Sequence, residues 1–350
     1  MSAARYAAAV FALGATSVAA VMLSNVAPRR DTTGAIIDAH DGNVLLVDGI
    51  YYYYAAGYGL CPERNSTTGC AGGFTGCGFY NNHSVNLYTS ADLSSWTFRG
   101  NVLPIANRVD AILFSPKIVY NALTKLYVLW YNYVPSYSYA VATSPSLYGP
   151  FVTVNSTVGS SFKWGYPTNS NIGDFSIMLD DDGVSAYFLY SANSHCQVEQ
   201  LDATFTASTW ATDGRTSAVF PHGNEAPAIF KRNGTYWSLV SESCCYCQQG
   251  GKVHSYAATS PLGPYVYMGE IAAGPNPAGG GIATESQQTN VFRAVNASTG
   301  VETFVWMGDR WQSADDHLKG HDYTYWAPVN FLPNGSIARL VWEDTVWVDV

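Results

Sequence analysis

Five times the chain repeats one unit: a run of apolar and aromatic residues, a tight turn, and a second such run. The copies are Val44–Ala55, Lys117–Asn132, Ile177–Ala192, Ala228–Ser241 and Val291–Trp311. Their turns are explicit: Asp48-Gly49, Asn121-Ala122, Asp182-Gly183, Asn233-Gly234 and Ser298-Thr299-Gly300. Asp-Gly and Asn-Gly supply the left-handed backbone of a short hairpin, so each copy reads as strand, turn, strand. A second phrase, at Tyr88–Phe98, Ala142–Phe151 and Ala258–Tyr265, reads as a third strand, a turn and an outer strand. A hairpin recurring at about 50 to 75 residues, with no helical period between copies, points to radial repetition. The expectation is an all-β, five-bladed β-propeller over residues 31–350, a single domain. Ala338–Trp342 is expected to complete the first blade and close the ring. Such a ring brings the inner strands of all blades to one axial cavity.

Composition narrows the partners. Only 12% of residues are Asp, Glu, Lys or Arg, about half the roughly 25% of an ordinary soluble domain. The net charge of -9 argues against binding a phosphate backbone, so no nucleic-acid partner is expected. At 47% hydrophobic the chain is neither disordered nor a coiled coil. A monomer is expected, with no cofactor and no metal.

Residues 1–27 form a separate segment. Arg5 precedes an Ala-rich apolar run, Tyr6–Leu23, which reads as a signal peptide cleaved after Ala20 or Ala27. The alternative is a type II signal anchor, because the run is about 18 residues long and Arg29-Arg30 follows it. Either reading places the domain in an oxidising lumen or outside the cell, with no other membrane contact. Six sequons agree with this, at Asn65, Asn82, Asn155, Asn233, Asn296 and Asn334. The cysteines group as Cys61, Cys70 and Cys77, then Cys196, then Cys244, Cys245 and Cys247. They lack zinc-ligand spacing and read as disulfides pinning long loops, of undetermined pairing, with one thiol left over.

In so uncharged a chain, acids that open apolar strands are conspicuous. Asp41, Asp174 and Glu225 each sit about three residues before an inner strand, in one register, so all three can point into the axial cavity. Glycosidic cleavage needs one carboxylic acid to protonate the leaving oxygen and a second group to activate water. A third acid nearby keeps the first protonated, because like charges raise each other's pKa. The competing reading for each is a turn former bonding its own backbone. For Asp180, Asp181 and Asp182, a solvated turn is the expectation.

These residues stand in phrases that resemble glycoside hydrolase family 43, and within it the exo-β-1,3-galactanase-like branch. The phrases are Asp, Asp and Glu at blade starts, Glu225-Ala226-Pro227-Ala228-Ile229-Phe230, and Met307-Gly308-Asp309-Arg310-Trp311. Ile37-Asp38-Ala39-His40, Ser115-Pro116-Lys117 and Ser286-Gln287-Gln288-Thr289 are also similar, and the resemblance spans Asp31 to Val350. It implies a five-bladed propeller and inverting hydrolysis of a terminal sugar. Glu225 matches the general acid, and Asp174 the acid that tunes its pKa. Asp41 has the spacing of the general base in mainstream members. The galactanase-like branch lacks that base and implicates a Gln, here Gln287, which is held as the reserve base. Phe114-Ser115 stands where the branch has Glu-Arg, a departure that leaves galactosyl, arabinosyl and xylosyl substrates open.

Aromatics with polar handles stack on sugars, but most Trp in a propeller pack between blades. Trp311, Tyr325 and Trp326, with His40 and His195, are the substrate-binding candidates. The expected function is secreted hydrolysis of terminal sugars on plant- or algal-type polysaccharides or proteoglycans. The alternative is a carbohydrate-binding propeller without catalysis.

Overall fold

A computed structural model describes residues 20–63, 80–134, 138–158, 172–209, 215–242 and 246–350. Asn65, Cys70, Cys77, Cys244, Cys245 and residues 1–19 of the expected leader lie outside them. Among the described residues the first strand is β1 (Ala20–Ser24), and five antiparallel meanders follow. Blade I comprises β2 (His40–Val47), β3 (Ile50–Gly57), β4 (Ser84–Ser90) and β5 (Thr97–Asn101). Blade II comprises β6 (Ile112–Asn121), β7 (Leu126–Val134), β8 (Ser138–Ser144) and β9 (Val152–Asn155). Blade III has three strands among the described residues, β10 (Ile172–Leu179), β11 (Ala186–Ala192) and β12 (His195–Gln200). Blade IV comprises β13 (Glu225–Arg232), β14 (Thr235–Glu242), β15 (Lys252–Ala258) and β16 (Val266–Glu270). Blade V has three strands among the described residues, β17 (Gln287–Val295), β18 (Glu302–Arg310) and β19 (Tyr323–Pro328). Last comes β20 (Thr345–Asp349). The innermost strands β2, β6, β10, β13 and β17 neighbour one another in a closed circuit, so the five-bladed propeller expected from the repeats is the fold.

All five hairpin turns fall where Gly, Asn and Asp marked them. Asp48 and Asn233 adopt positive φ of 50° and 49°, each followed by a positive-φ glycine, as the two-residue hairpins require. The aromatic surplus lies between blades. Trp130 meets Phe188 at 4.9 Å between blades II and III, and Trp326 meets Tyr53 at 5.8 Å and Phe292 at 5.2 Å between blades I and V. Burying a large apolar side chain contributes about 1.5–3 kcal/mol, and these rings have almost no exposed surface.

The ring closes differently from the expectation. Residues 338–342 form no strand; Leu340 N–H donates to the Ile271 carbonyl, and its side chain packs with blade IV and V residues. Instead β20 pairs antiparallel with β1, Ala20 opposite Asp349 and Ser24 opposite Thr345. Leu23, Val346 and Val348 from this ribbon are buried with blade I and blade V residues. Asn25, fully buried, donates to the Trp326 and Glu343 carbonyls at 3.1 Å and accepts from Trp326 N–H at 2.9 Å. The end of the apolar run, Ala20–Ser24, is a strand by virtue of a partner more than 300 residues away.

Two smaller expectations also change. The sequon residue Asn296 is fully buried, its side-chain Oδ1 accepting from the Ser298 and Thr299 N–H groups, whereas Asn82, Asn233 and Asn334 are exposed. Asp180 and Asp181 are not merely a solvated turn, because Lys231 of blade IV pairs with them at 2.7 and 2.8 Å. Cys196 is a buried free thiol.

Candidate active site

The site residues lie inside the first turns of pairing rather than three residues ahead of it. Each inner hairpin carries an irregularity near its start, between His40 and Asn43, Phe114 and Lys117, Ile172 and Phe175, Glu225 and Ala228, and Gln288 and Asn290. A bulge re-aims side chains without ending the strand, and it breaks the alternation by which a strand start is recognised. Asp41, Ser115 and Ala226 occupy three of these bulges at φ of 54°, 51° and 47°. Gly42 has no alternative in blade I: a Cβ there would sit 1.9 Å from the Tyr54 carbonyl oxygen.

The bulges surround a cavity of about 350 Å³ whose wall draws on the inner strands of all five blades. Asp41, Asp174, Glu225 and Gln287 all line it, as do Phe114, Asn132, Tyr246 and Trp311. Ser115 ties two of the acids together: its Oγ lies 2.6 Å from Asp41 Oδ2 and 3.0 Å from Asp174 Oδ1. Its backbone N–H also donates to Asp41 Oδ2, at 2.9 Å. Lys117 Nζ donates to the Asp41 carbonyl oxygen at 2.7 Å and stands 3.8 Å from Asp41 Oδ1. Asp309 Oδ2 accepts the Asp41 N–H at 2.7 Å. The Gln287 carbonyl oxygen accepts from Trp311 Nε1 at 2.8 Å and Tyr246 N–H at 3.1 Å, while its Nε2 donates to Asp174 Oδ2 at 3.4 Å. Glu225 takes no hydrogen bond from the described residues.

Burial, then the neighbouring carboxylates Asp174 and Asp41, push the Glu225 carboxyl up to about 8. Asp41 is also raised, burial outweighing the pull of Lys117. Asp174 is raised by burial against the opposing Lys117 charge and the Ser115 hydrogen bond. Burial lowers Lys117, which the surrounding acids counter. One buried cation among several buried acids leaves negative charge uncompensated. The acid without hydrogen bonds, Glu225, is the one best placed to hold a proton.

The remaining candidates do not all reach the cavity. Trp311 does. Tyr325 and Trp326 have no exposed surface and pack between blades, so they do not touch a ligand in it. His195 is exposed beyond the cavity lining, its Nδ1 on the Asn193 carbonyl at 2.8 Å. His40 is fully buried behind the wall, 5.5 Å from Trp311 and Tyr58, with Asp309 at 3.6 Å and Asp38 at 3.8 Å. Burial opposes its charge, yet Asp309, Asp38 and Asp322 outweigh this and hold it at about 9. Ser115, Lys117, Asp309 and Tyr246 were not foreseen in the site. The signal for Lys117 was a lysine inside an otherwise apolar inner strand. Among the described residues no group of three or more His, Cys, Asp or Glu side chains is arranged to hold a metal ion.

Solved structures share this fold. The fold resembles an exo-β-1,3-galactanase from Clostridium thermocellum, 23% identical, with a TM-score of 0.73 over 94% of this chain and 67% of that one. It resembles an exo-β-1,3-galactanase from Phanerochaete chrysosporium crystallised with galactose, 25% identical, TM-score 0.69, over 94% of this chain and 69% of that one. A family 43 β-1,3-galactosidase bound to galactodeoxynojirimycin is 23% identical, TM-score 0.69, over 92% of this chain and 99% of that one. No curated protein sequence matches the chain. The profile described as Glycosyl hydrolases family 43 matches residues 36–271, more than half of the chain and the stretch that contains Asp41, Asp174 and Glu225. The chain belongs to glycosyl hydrolase family 43 and is a glycosidase, hydrolysing glycosidic bonds.

Proposed function

We propose that this glycosidase acts with inversion on a terminal sugar, with Glu225 as general acid, Asp174 as the group that tunes it, and Asp41 as general base. The observation that carries the reading is the convergence of three buried carboxyls, from three blades, on one cavity. Glu225, raised to about 8, is protonated at neutral pH and free to donate to the leaving oxygen. Asp41 is fixed through Oδ2 by Ser115, which leaves Oδ1 to take the proton of the attacking water. Lys117 beside it favours the carboxylate. Gln287 is less suited to the base role, because both Trp311 and Tyr246 occupy its oxygen and only its amide N–H remains.

The galactanases and galactosidase of similar fold support a β-1,3-linked galactosyl substrate on a plant- or algal-type polysaccharide or proteoglycan. Phe114 in the cavity wall keeps arabinosyl and xylosyl groups in play. Secretion follows from the leader, and the fold supports cleavage near Ala20, since a cut after Ala27 would sever β1. Arg29 supports cleavage over an anchor, because it is half-buried 4.1 Å over Trp326 instead of flanking a membrane. Asn82, Asn233 and Asn334 are exposed enough to take glycans, and disulfides pin the loops that hold the cysteine groups other than Cys196. The functional unit is a monomer.

The test is a panel of aryl galactosides, arabinosides and xylosides plus β-1,3-galactan, with the product anomer read by NMR. Wild type releases the inverted sugar, and Glu225→Gln abolishes aryl glycoside turnover while sugar binding persists. Unchanged turnover in Glu225→Gln defeats the assignment. Wild type that binds sugar and hydrolyses none of the panel selects the carbohydrate-binding reading, which Phe114 in the wall favours.

A further inference from the structure

We propose that Lys319 is a positioning residue, a buried cation that sets Trp311 and Tyr246 in the cavity wall and through them orients Gln287 against Asp174. This rests on the catalytic roles given above. Lys319 has 1% of its surface exposed and begins a short turn after Leu318. Its Nζ lies 4.2 Å over the Trp311 ring, 4.5 Å over Tyr246 and 5.6 Å over Tyr58. It is also 3.1 Å from Glu63 Oε1, a partner with 4% of its side chain exposed. The backbone is fastened at the same point, Lys319 N–H donating to the Cys61 carbonyl at 2.9 Å and Pro62 bridging Leu318. An ammonium is drawn to the faces of aromatic rings, and the attraction grows when water is excluded.

Two of those rings touch the chemistry. Trp311 and Tyr246 line the cavity and stand 4.9 Å apart edge to face; Trp311 donates to the Gln287 oxygen through its indole Nε1, and Tyr246 through its backbone N–H. That fixes which end of the Gln287 amide faces Asp174, and it is the N–H end that does so. The donation favours the Asp174 carboxylate, whose charge in turn keeps Glu225 protonated. A buried Lys–Glu pair is often replaceable by apolar groups without loss of stability, so stability alone does not explain one placed behind a cavity wall. Among the described residues, Asp322, His83, Tyr58 and Tyr246 are titratable groups facing the pair, and His40 faces Asp322. Facing Asp174, among the described residues, are Lys117, Asp309, Asp41, Glu225, Tyr139 and Cys196.

The experiment compares Lys319→Arg with the double variant Lys319→Met/Glu63→Gln, which removes both charges together. Readouts are the melting temperature, kcat/KM against pH, and the Trp311 emission obtained as the difference from Trp311→Phe. The double variant is expected to fold, to change Trp311 emission, to lose about tenfold to a hundredfold in kcat/KM, and to move the alkaline limb to lower pH. Lys319→Arg is expected to restore most of this. In an Asp174→Asn background the double substitution should move the limb no further. A folded double variant with wild-type limb and emission overturns the proposal. So does one that loses its fold, because that outcome assigns the pair to stability. If wild type hydrolyses no glycoside, the functional reading fails separately, and Trp311 emission still decides the positioning.

Discussion

Replacing Asp174 by Asn removes one negative charge from the cavity while keeping an oxygen for Ser115 to bond. Glu225 is lifted from 4.5 to about 8, burial being the first cause and Asp174 the second. A like charge at close range is worth about 1–3 pKa units. Taking the lower end, because Lys117 already offsets part of the field, Glu225 should fall by about one unit, or about 1.4 kcal/mol. The sign follows from the charge: without Asp174 the ionised form of Glu225 is less disfavoured, so its proton leaves at lower pH. The general acid is then lost earlier as pH rises, and the alkaline limb of kcat/KM moves acid-ward by about one unit. At pH 8 the protonated fraction drops from about one half to about one tenth, so activity relative to pH 6 falls about fivefold. The assay is kcat/KM across pH on whichever aryl glycoside wild type hydrolyses, with a thermal melt to confirm folding. A limb that stays in place, or moves to higher pH, would refute the coupling between these two carboxyls.

Two further outcomes follow from the geometry. Asp41→Ala should lower kcat by about 10²–10⁴-fold, whereas Gln287→Ala should lose less, since its oxygen is engaged by Trp311 and Tyr246; a larger loss at Gln287 on steady-state kinetics would make it the base. A chain starting at Ala20 should keep its melting temperature, while one starting at Pro28 loses buried Leu23, the Asn25 hydrogen bonds and the partner of β20. At about 2–5 kcal/mol for the leucine and about 1 kcal/mol for each bond, the second truncation should melt about 10 °C lower or more. Equal melting temperatures would remove β1 from the fold.

The hairpins were legible because a two-residue turn is a local event. Asn233-Gly234 requires positive φ whatever surrounds it, and the runs of aromatics on either side have no other short-range solution. The three carboxyls were legible because charge is scarce and each falls at the same place in its repeat. The aromatics were not. Trp311 lines the cavity while Trp326 fills a seam between blades, and nothing local to either residue distinguishes them. The bulges were hidden for a related reason: an inserted residue breaks the period-two pattern just where Asp41, Asp174 and Glu225 stand, so the strands seemed to begin later than they do.

The sequence by itself determined the repeating unit, the number of blades and the acids worth watching, since each depends on residues close together along the chain. Tertiary structure decided the rest. It turned part of an apparent leader into a closing strand by pairing Ala20–Ser24 with Thr345–Asp349. It set Ser115 between Asp41 and Asp174 from a third blade. Only the closed ring raises Glu225, because a carboxyl holds its proton to about 8 when water is excluded and other carboxylates are near. Those conditions exist once five distant segments share one cavity.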